Sequence, residues 1–247
     1  LRGYVEFKNV SFIYDGSSEK VLDNISFKSG PGETTAIIGG TGSGKSTIVK
    51  LIPRLLEATQ GEILIDRVDI KDIDINLLRD KIGYVPQKAV LFTGTIRENI
   101  SYGKENASDY DIKKAIEVSQ SSEFVLSKKD SIDSYIAQGG VNVSGGQKQR
   151  LSIARALIKK PEIYIFDDSF SALDFKTDKK LREGLESEVK NATVIIVAQR
   201  VSTIKNADKI IVLDEGKVIQ IGTHKELLKS CDVYKEIVSS QLSKEEI

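Results

Sequence analysis

The amino-acid sequence predicts an α/β fold with a mostly parallel sheet, an N-terminal antiparallel β-layer and an inserted helical subdomain. Three observations predict it. Apolar runs of strand length recur at 34–38, 163–166, 193–197 and 210–213, the pattern of strands buried on both faces. The first thirty residues instead carry shorter apolar pieces set apart by turn residues. From 97 to about 157 the β-branched runs thin out and helical spacing replaces them.

In order along the chain, Val5 and Phe7, Val10 and Phe12, and Ile25 and Phe27 form the apolar pieces of the β-layer. Asp15-Gly16-Ser17-Ser18 and Ser29-Gly30-Pro31-Gly32 turn the chain between and after them. Thr34-Thr35-Ala36-Ile37-Ile38 reads as a buried strand, followed by a glycine-rich loop to Gly44. A helix is expected from Ser46, with Ile48, Val49, Leu51, Ile52, Leu55 and Leu56 at its apolar spacing, so that strand, loop and helix make half of a βαβ unit. In the insertion, Ile112, Ala115, Ile116 and Val118 follow helical spacing. The three later strands are each expected to lead into polar or helical segments, and the charged tail from Ser239 is expected to fray. The 247 residues exceed the usual ~150-residue domain, which an inserted subdomain accommodates. We expect a single domain over 1–247, with the core and β-layer at 1–87 and 161–247 and the helical subdomain at 88–160.

Composition excludes several classes. With 36 Lys plus Arg against 36 Asp plus Glu, the formal charge is zero, which argues against a bulk electrostatic grip on nucleic acid or anionic lipid. A hydrophobic fraction of 40% with 29% charged residues is that of a folded globular chain. The one cysteine, Cys231, forbids an internal disulfide and argues against a cysteine-built zinc site. No run approaches the ~20 apolar residues of a spanning helix, and the N-terminus does not read as a signal peptide. The absence of an initiating Met suggests an excised fragment or a processed product.

Gly39-Gly40-Thr41-Gly42-Ser43-Gly44-Lys45-Ser46 fits G-x-x-x-x-G-K-[ST], after a predicted strand and at the start of a predicted helix. That is a P-loop. Its glycines let backbone N–H groups converge on phosphate, Lys45 bridges phosphate oxygens, and Ser46 is placed to ligate Mg²⁺, with Thr47 next in the turn. The predicted core is therefore that of a P-loop NTPase. Ile163-Tyr164-Ile165-Phe166 ends in Asp167-Asp168, carboxylates at the sheet edge where the nucleotide lies; Asp167 is expected to hold Mg²⁺ through water. Ser144-Gly145-Gly146-Gln147 opens another predicted helix and offers free N–H groups and a hydroxyl to an anion.

With these three motifs in order, the chain resembles the nucleotide-binding domain of an ABC transporter over residues 4–238. The resemblance implies ATP with Mg²⁺ as ligands, and Ser144, Gly145, Gly146 and Gln147 as the signature that closes over ATP held by another protomer. Tyr14 matches the aromatic that stacks on adenine, and Gln87, in Tyr84-Val85-Pro86-Gln87, matches the glutamine that reaches Mg²⁺ and the attacking water. Ser171-Ala172-Leu173-Asp174 matches the D-loop. The stretch from Leu91 to Ile100 and the Leu1-Arg2-Gly3 lead-in look like the exporter branch. The implied partners are a transmembrane domain, in the same polypeptide or complex but absent from this chain, and a second nucleotide-binding domain. The implied place is the cytoplasmic face of the cell membrane.

Three positions depart from the family pattern. Asp168 stands where the water-polarising glutamate is usual; it is shorter by one bond, about 1.5 Å, and a ~1 Å misplacement costs up to ~10²-fold in rate. Gln199 replaces the histidine that contacts the γ-phosphate, and Gln138 replaces a glutamate ahead of the signature. Asp168 and Gln199 serve the ATP of this chain's own P-loop, whereas the intact signature serves a partner's. The pattern resembles the degenerate-site half of heterodimeric bacterial exporters, the partner then being a different subunit. The alternatives are an ordinary homodimeric exporter ATPase and a non-hydrolytic ATP-gated dimerisation module. The lone histidine, His224, follows Thr223, a predicted helix cap with Glu226 three residues on, and is not read as catalytic.

Overall fold

The turn at Asp15 and Gly16 folds strand β1 (Val5–Ile13) against β2 (Lys20–Ser29) in antiparallel register. The computed structural model describes residues 2–245, and side chains as far as Gln241. The apolar pieces at Val5–Phe7 and Val10–Phe12 belong to one strand, not two. They are separated by a register shift in which Asn9 takes φ 49° and the facing Gly61 takes φ 82°; a Cβ on Gly61 would lie 2.4 Å from the Asn9 carbonyl oxygen.

After β3 (Thr34–Gly39) comes α1 (Lys45–Leu51), which is shorter than its apolar spacing predicts. Pro53 has no N–H to continue the ladder, and Arg54 turns left-handed at φ 51°. The N–H groups of Leu55 and Leu56 then close back on the Lys50 carbonyl, leaving Leu55 exposed and Leu56 half-buried. Strands β4 (Gln60–Ile65) and β5 (Val68–Asp69) complete the N-terminal layer in the order β2-β1-β4-β5. Helix α2 (Ile75–Asp80), capped by Asp74, leads to β6 (Ile82–Val85).

The next segment builds a subdomain from β7 (Gly94–Thr95), α3 (Ile96–Ser101), α4 (Asp109–Val118), α5 (Ser122–Leu126), β8 (Tyr135–Ile136) and α6 (Gly145–Lys159). Capping boxes Thr95/Glu98, Ser108/Asp111 and Ser144/Gln147 start three of these helices, each satisfying N–H groups that helix geometry leaves unpaired. Ile112, Ala115 and Ile116 pack with Leu91, Ile100 and Leu151 in the subdomain's own core, while half-buried Val118 faces the neighbouring one.

The chain returns through β9 (Ile163–Asp167), α7 (Phe175–Glu188), β10 (Thr193–Val197), α8 (Val201–Ile204), β11 (Lys209–Asp214), β12 (Lys217–Gly222), α9 (His224–Ser230) and α10 (Asp232–Glu245). The larger sheet runs β12-β11-β3-β10-β9-β6 among the described residues, parallel throughout except for β12. Here β11 turns directly into an antiparallel edge strand, where a polar or helical segment was expected.

Alternation of side chains explains why these strands are apolar at every position. Ile37, Ile163, Ile165, Ile195 and Ile211 point into the core shared with the β-layer and α1. Their neighbours Ile38, Tyr164, Phe166, Ile196 and Val212 point into the core beneath α7, α9 and α10. Each fully buried aliphatic side chain contributes about 1.5–3 kcal/mol. The segment expected to fray from Ser239 continues α10 as far as Glu245; 246 and 247 lie outside the described residues. The helix is anchored by fully buried Tyr234, whose hydroxyl lies 2.7 Å from His224 Nδ1. Thr223 caps α9 with Glu226 as predicted.

Candidate functional site

Parallel strands end at one edge of the sheet, so the loops after β3, β6, β9 and β10 meet there. The loop after β3 is the glycine-rich one. A Cβ on Gly39 would stand 2.2 Å from the Leu213 carbonyl oxygen, and Gly42 and Gly44 take φ 79° and 97°, so these three positions favour glycine. Gly40, Thr41 and Gly42 form an exposed rim, whereas Ser43 is buried. Lys45 folds back into the loop and donates from Nζ to the carbonyls of Gly39 and Gly40, both at 2.7 Å. Burial pulls its ammonium below the ordinary lysine value, while Asp168 and Asp167 pull it up. Such a cation, held on the carbonyls of a glycine-rich loop, is suited to phosphate oxygens. Thr47 Oγ1 lies 3.4 Å from the Tyr14 hydroxyl, which sets the exposed Tyr14 ring beside the first turn of α1.

Asp167 closes β9 and is 2% exposed. Its Oδ1 accepts from Ser46 Oγ at 2.8 Å and its Oδ2 from the Tyr84 hydroxyl at 3.1 Å. Burial, and then the Asp167 charge, push the Tyr84 phenol far above its usual range, so it remains a donor. The hydroxyl and carboxylate oxygens of Ser46 and Asp167 are the hard donors Mg²⁺ prefers. Among the described residues no group of three His, Cys, Asp or Glu is placed to hold a metal.

Asp168 turns the chain away from the strand at φ 49°, with its N–H donating to the Val197 carbonyl at 2.9 Å. One carboxylate oxygen, Oδ2, accepts from two amides: Gln87 Nε2 at 3.1 Å and Gln199 Nε2 at 2.9 Å. Burial raises the carboxyl above the ordinary aspartate value, and the nearby Asp167 adds to the rise. Asp168 is therefore in contact with both Gln87, which follows β6, and Gln199, which follows β10.

The 144–147 turn is elsewhere. Ser144 caps α6 by accepting from the Gln147 N–H at 3.2 Å, and Gln147 Oε1 accepts from the Ser144 N–H at 3.0 Å. Ser144 and Gly145 are exposed, and among the described residues no hydrogen bond joins this turn to the P-loop of the same chain. Asp174 caps α7, and exposed Gln138 lies in a one-turn 3₁₀ helix, Gln138–Gly140.

Two residues near the site are not evident from the sequence. Tyr84 stands in the sequence only as a neighbour of Gln87, while alternation along β6 places it on the face of the sheet that packs against the first core. Gln149, 2% exposed on α6, donates to the Pro86 carbonyl at 3.1 Å and so ties the helix that begins at Ser144 to the residue before Gln87.

Residues 22–171 match the ABC transporter family. The chain is 48% identical over 245 residues to the ABC transporter ATP-binding protein YfiB of Bacillus subtilis, covering 99% of this chain and 42% of YfiB. It is 40% identical over 237 residues to an ATP-dependent lipid A-core flippase of Desulfotalea psychrophila, covering 96% of this chain and 41% of the flippase. A solved bacterial Atm1-family ABC exporter with ATP bound superposes with a TM-score of 0.93 at 38% identity, over 97% of this chain and 42% of that one. The chain thus spans about two-fifths of the length of these relatives. It belongs to the ABC transporter family, as a nucleotide-binding domain.

Proposed function

We propose that this chain is the ATP-binding and ATP-hydrolysing motor domain of an ABC exporter, which pairs with a second nucleotide-binding domain around MgATP to drive transport. The observation that carries the reading is the convergence of Lys45, Ser46, Asp167, Asp168, Gln87 and Gln199 on one sheet edge. In this reading the 39–46 loop and Lys45 hold the phosphates, Tyr14 takes the adenine, and Ser46 and Asp167 hold Mg²⁺ with Gln87 at its margin. Bound there, the ion neutralises phosphate charge. Asp168 orients the attacking water and accepts its proton, and Gln199 lends a neutral hydrogen bond where a charged donor would stabilise more.

The domain works on the cytoplasmic face of the membrane, held by transmembrane segments of the same polypeptide or complex; none of the helices described is long and apolar enough to cross a bilayer. Its own site hydrolyses slowly, because the short Asp168 carboxylate already serves two amides. The partner is a different subunit, whose ATP is closed over by Ser144, Gly145 and Gly146. The same double hydrogen bond at Asp168 favours a second reading, in which this site only gates dimerisation.

Titration calorimetry tests the binding step. Wild type should take up MgATP, and Lys45→Ala should weaken uptake by at least about tenfold, since charge-assisted bonds contribute about 1.5–3 kcal/mol each. Equal affinity in the two proteins contradicts the assignment.

A further inference from the structure

Helix α8 begins without a cap of its own. Its N-cap residue is Arg200, which has no acceptor oxygen in its side chain and makes no side-chain capping bond. The first helical N–H, that of Val201, would be left unpaired. It is satisfied from far along the chain: Gln241 Oε1, on the last described turns of α10, accepts from it at 2.8 Å. The other end of the same amide, Gln241 Nε2, donates to the Gln199 carbonyl at 2.6 Å. One side chain therefore bridges the backbone on both sides of Arg200, as a facing peptide group would.

The consequence reaches the site. Gln199 leaves the end of β10 with its carbonyl held by Gln241 and its side chain 2.9 Å from Asp168. The direction of that side chain follows from where its backbone is fixed. Position 241 is four residues beyond Ile237 and three beyond Val238, both of which pack against the core beneath α10, and seven beyond fully buried Tyr234. Packing of α10 thus sets where the amide stands.

The geometry points to Gln241 as a positioning residue for the γ-phosphate side of the site: it fixes the 199–201 backbone and, through it, the Gln199 contact with Asp168. This rests on the proposed ATP-hydrolysing function. It also makes the seating of α10 a determinant of turnover.

Gln241→Met tests the inference, since it keeps the length and apolar stem of the side chain and removes both hydrogen bonds. In single-turnover hydrolysis with the chain in excess over MgATP, the rate should fall about tenfold, with MgATP affinity by calorimetry changed by less than about twofold. On a Gln199→Ala background the same substitution should produce little further loss, because the two act in series. Exchange of the Val201 amide hydrogen should quicken in Gln241→Met whether or not the chain hydrolyses ATP. An unchanged rate and unchanged Val201 exchange overturn the inference, as do independent, multiplying effects of the two substitutions. Absence of wild-type MgATP binding would instead overturn the functional reading, and the exchange measurement would then decide the Gln241 bridge alone.

Discussion

Asp168 combines three demands at one residue: a left-handed backbone, a buried carboxylate, and two amide donors on one oxygen. Asparagine meets the first and the third and removes the charge, because it tolerates positive φ and its Oδ1 can accept both bonds. Burial raises the Asp168 carboxyl, so its ionised form opposes folding at neutral pH. Its contribution is most favourable below the ordinary carboxylate range and is lost as pH rises through the elevated value. Asp168→Asn should therefore stabilise the nucleotide-free domain by about 1 kcal/mol near neutral pH, a rise of roughly 2–4 °C in Tm at this size. The gain should shrink as pH falls through the raised value. Thermal unfolding across pH checks this, and a Tm that is lower in the variant, or a gain independent of pH, contradicts it. At this scale the residues of the candidate site were largely legible: contiguous residues carry the P-loop and the Asp167-Asp168 pair, and Gln87 and Gln199 could be placed by resemblance. Tyr84, Gln149 and Gln241 were not, because each acts through one side chain meeting an element 83, 63 or about 40 residues away.

Helix α6 shows how elements hold the site together. It presents Ser144 at its start, holds Pro86 through Gln149, and spreads the Arg155 guanidinium over three acceptors. Arg155 donates to the Asn99 carbonyl at 2.8 Å, the Val90 carbonyl at 3.0 Å and Asn99 Oδ1 at 3.1 Å, and lies 5.1 Å from the Phe92 ring centroid. A lysine cannot reproduce that planar fork. Arg155→Lys should cost about 1–3 kcal/mol, read as a lower denaturant midpoint, and an unchanged midpoint contradicts the account. The buried parallel strands β3, β9, β10 and β11 were readable because both their faces are apolar. Strands β4, β5, β6 and β12 were missed for lack of that signal: β5 has two residues, β6 four, β4 buries only its last three, and no residue of edge strand β12 is fully buried. Apolar spacing carried α1 too far, since Pro53 and the left-handed Arg54 end it before Leu55.

For the whole molecule, the order of motifs along the chain identified the family, while the zero net charge described only what the surface as a whole does not do. The signature turn stands exposed and apart from the P-loop of its own chain, which is the arrangement expected if each ATP is shared between two domains. In the proposed function this chain serves its partner's ATP better than its own. The direct measurement is phosphate release by the full transporter, co-assembled with its partner subunit and carrying either Ser144→Glu or Asp168→Asn here. Losing one well-placed donor to transition-state charge costs ~10²–10³-fold, so Ser144→Glu should cut steady-state release by at least about tenfold, although among the described residues Ser144 makes no hydrogen bond to its own P-loop. Asp168→Asn should change release by less than about twofold, since in the proposed function the site it serves turns over slowly. Release abolished by Asp168→Asn and left intact by Ser144→Glu would contradict the account.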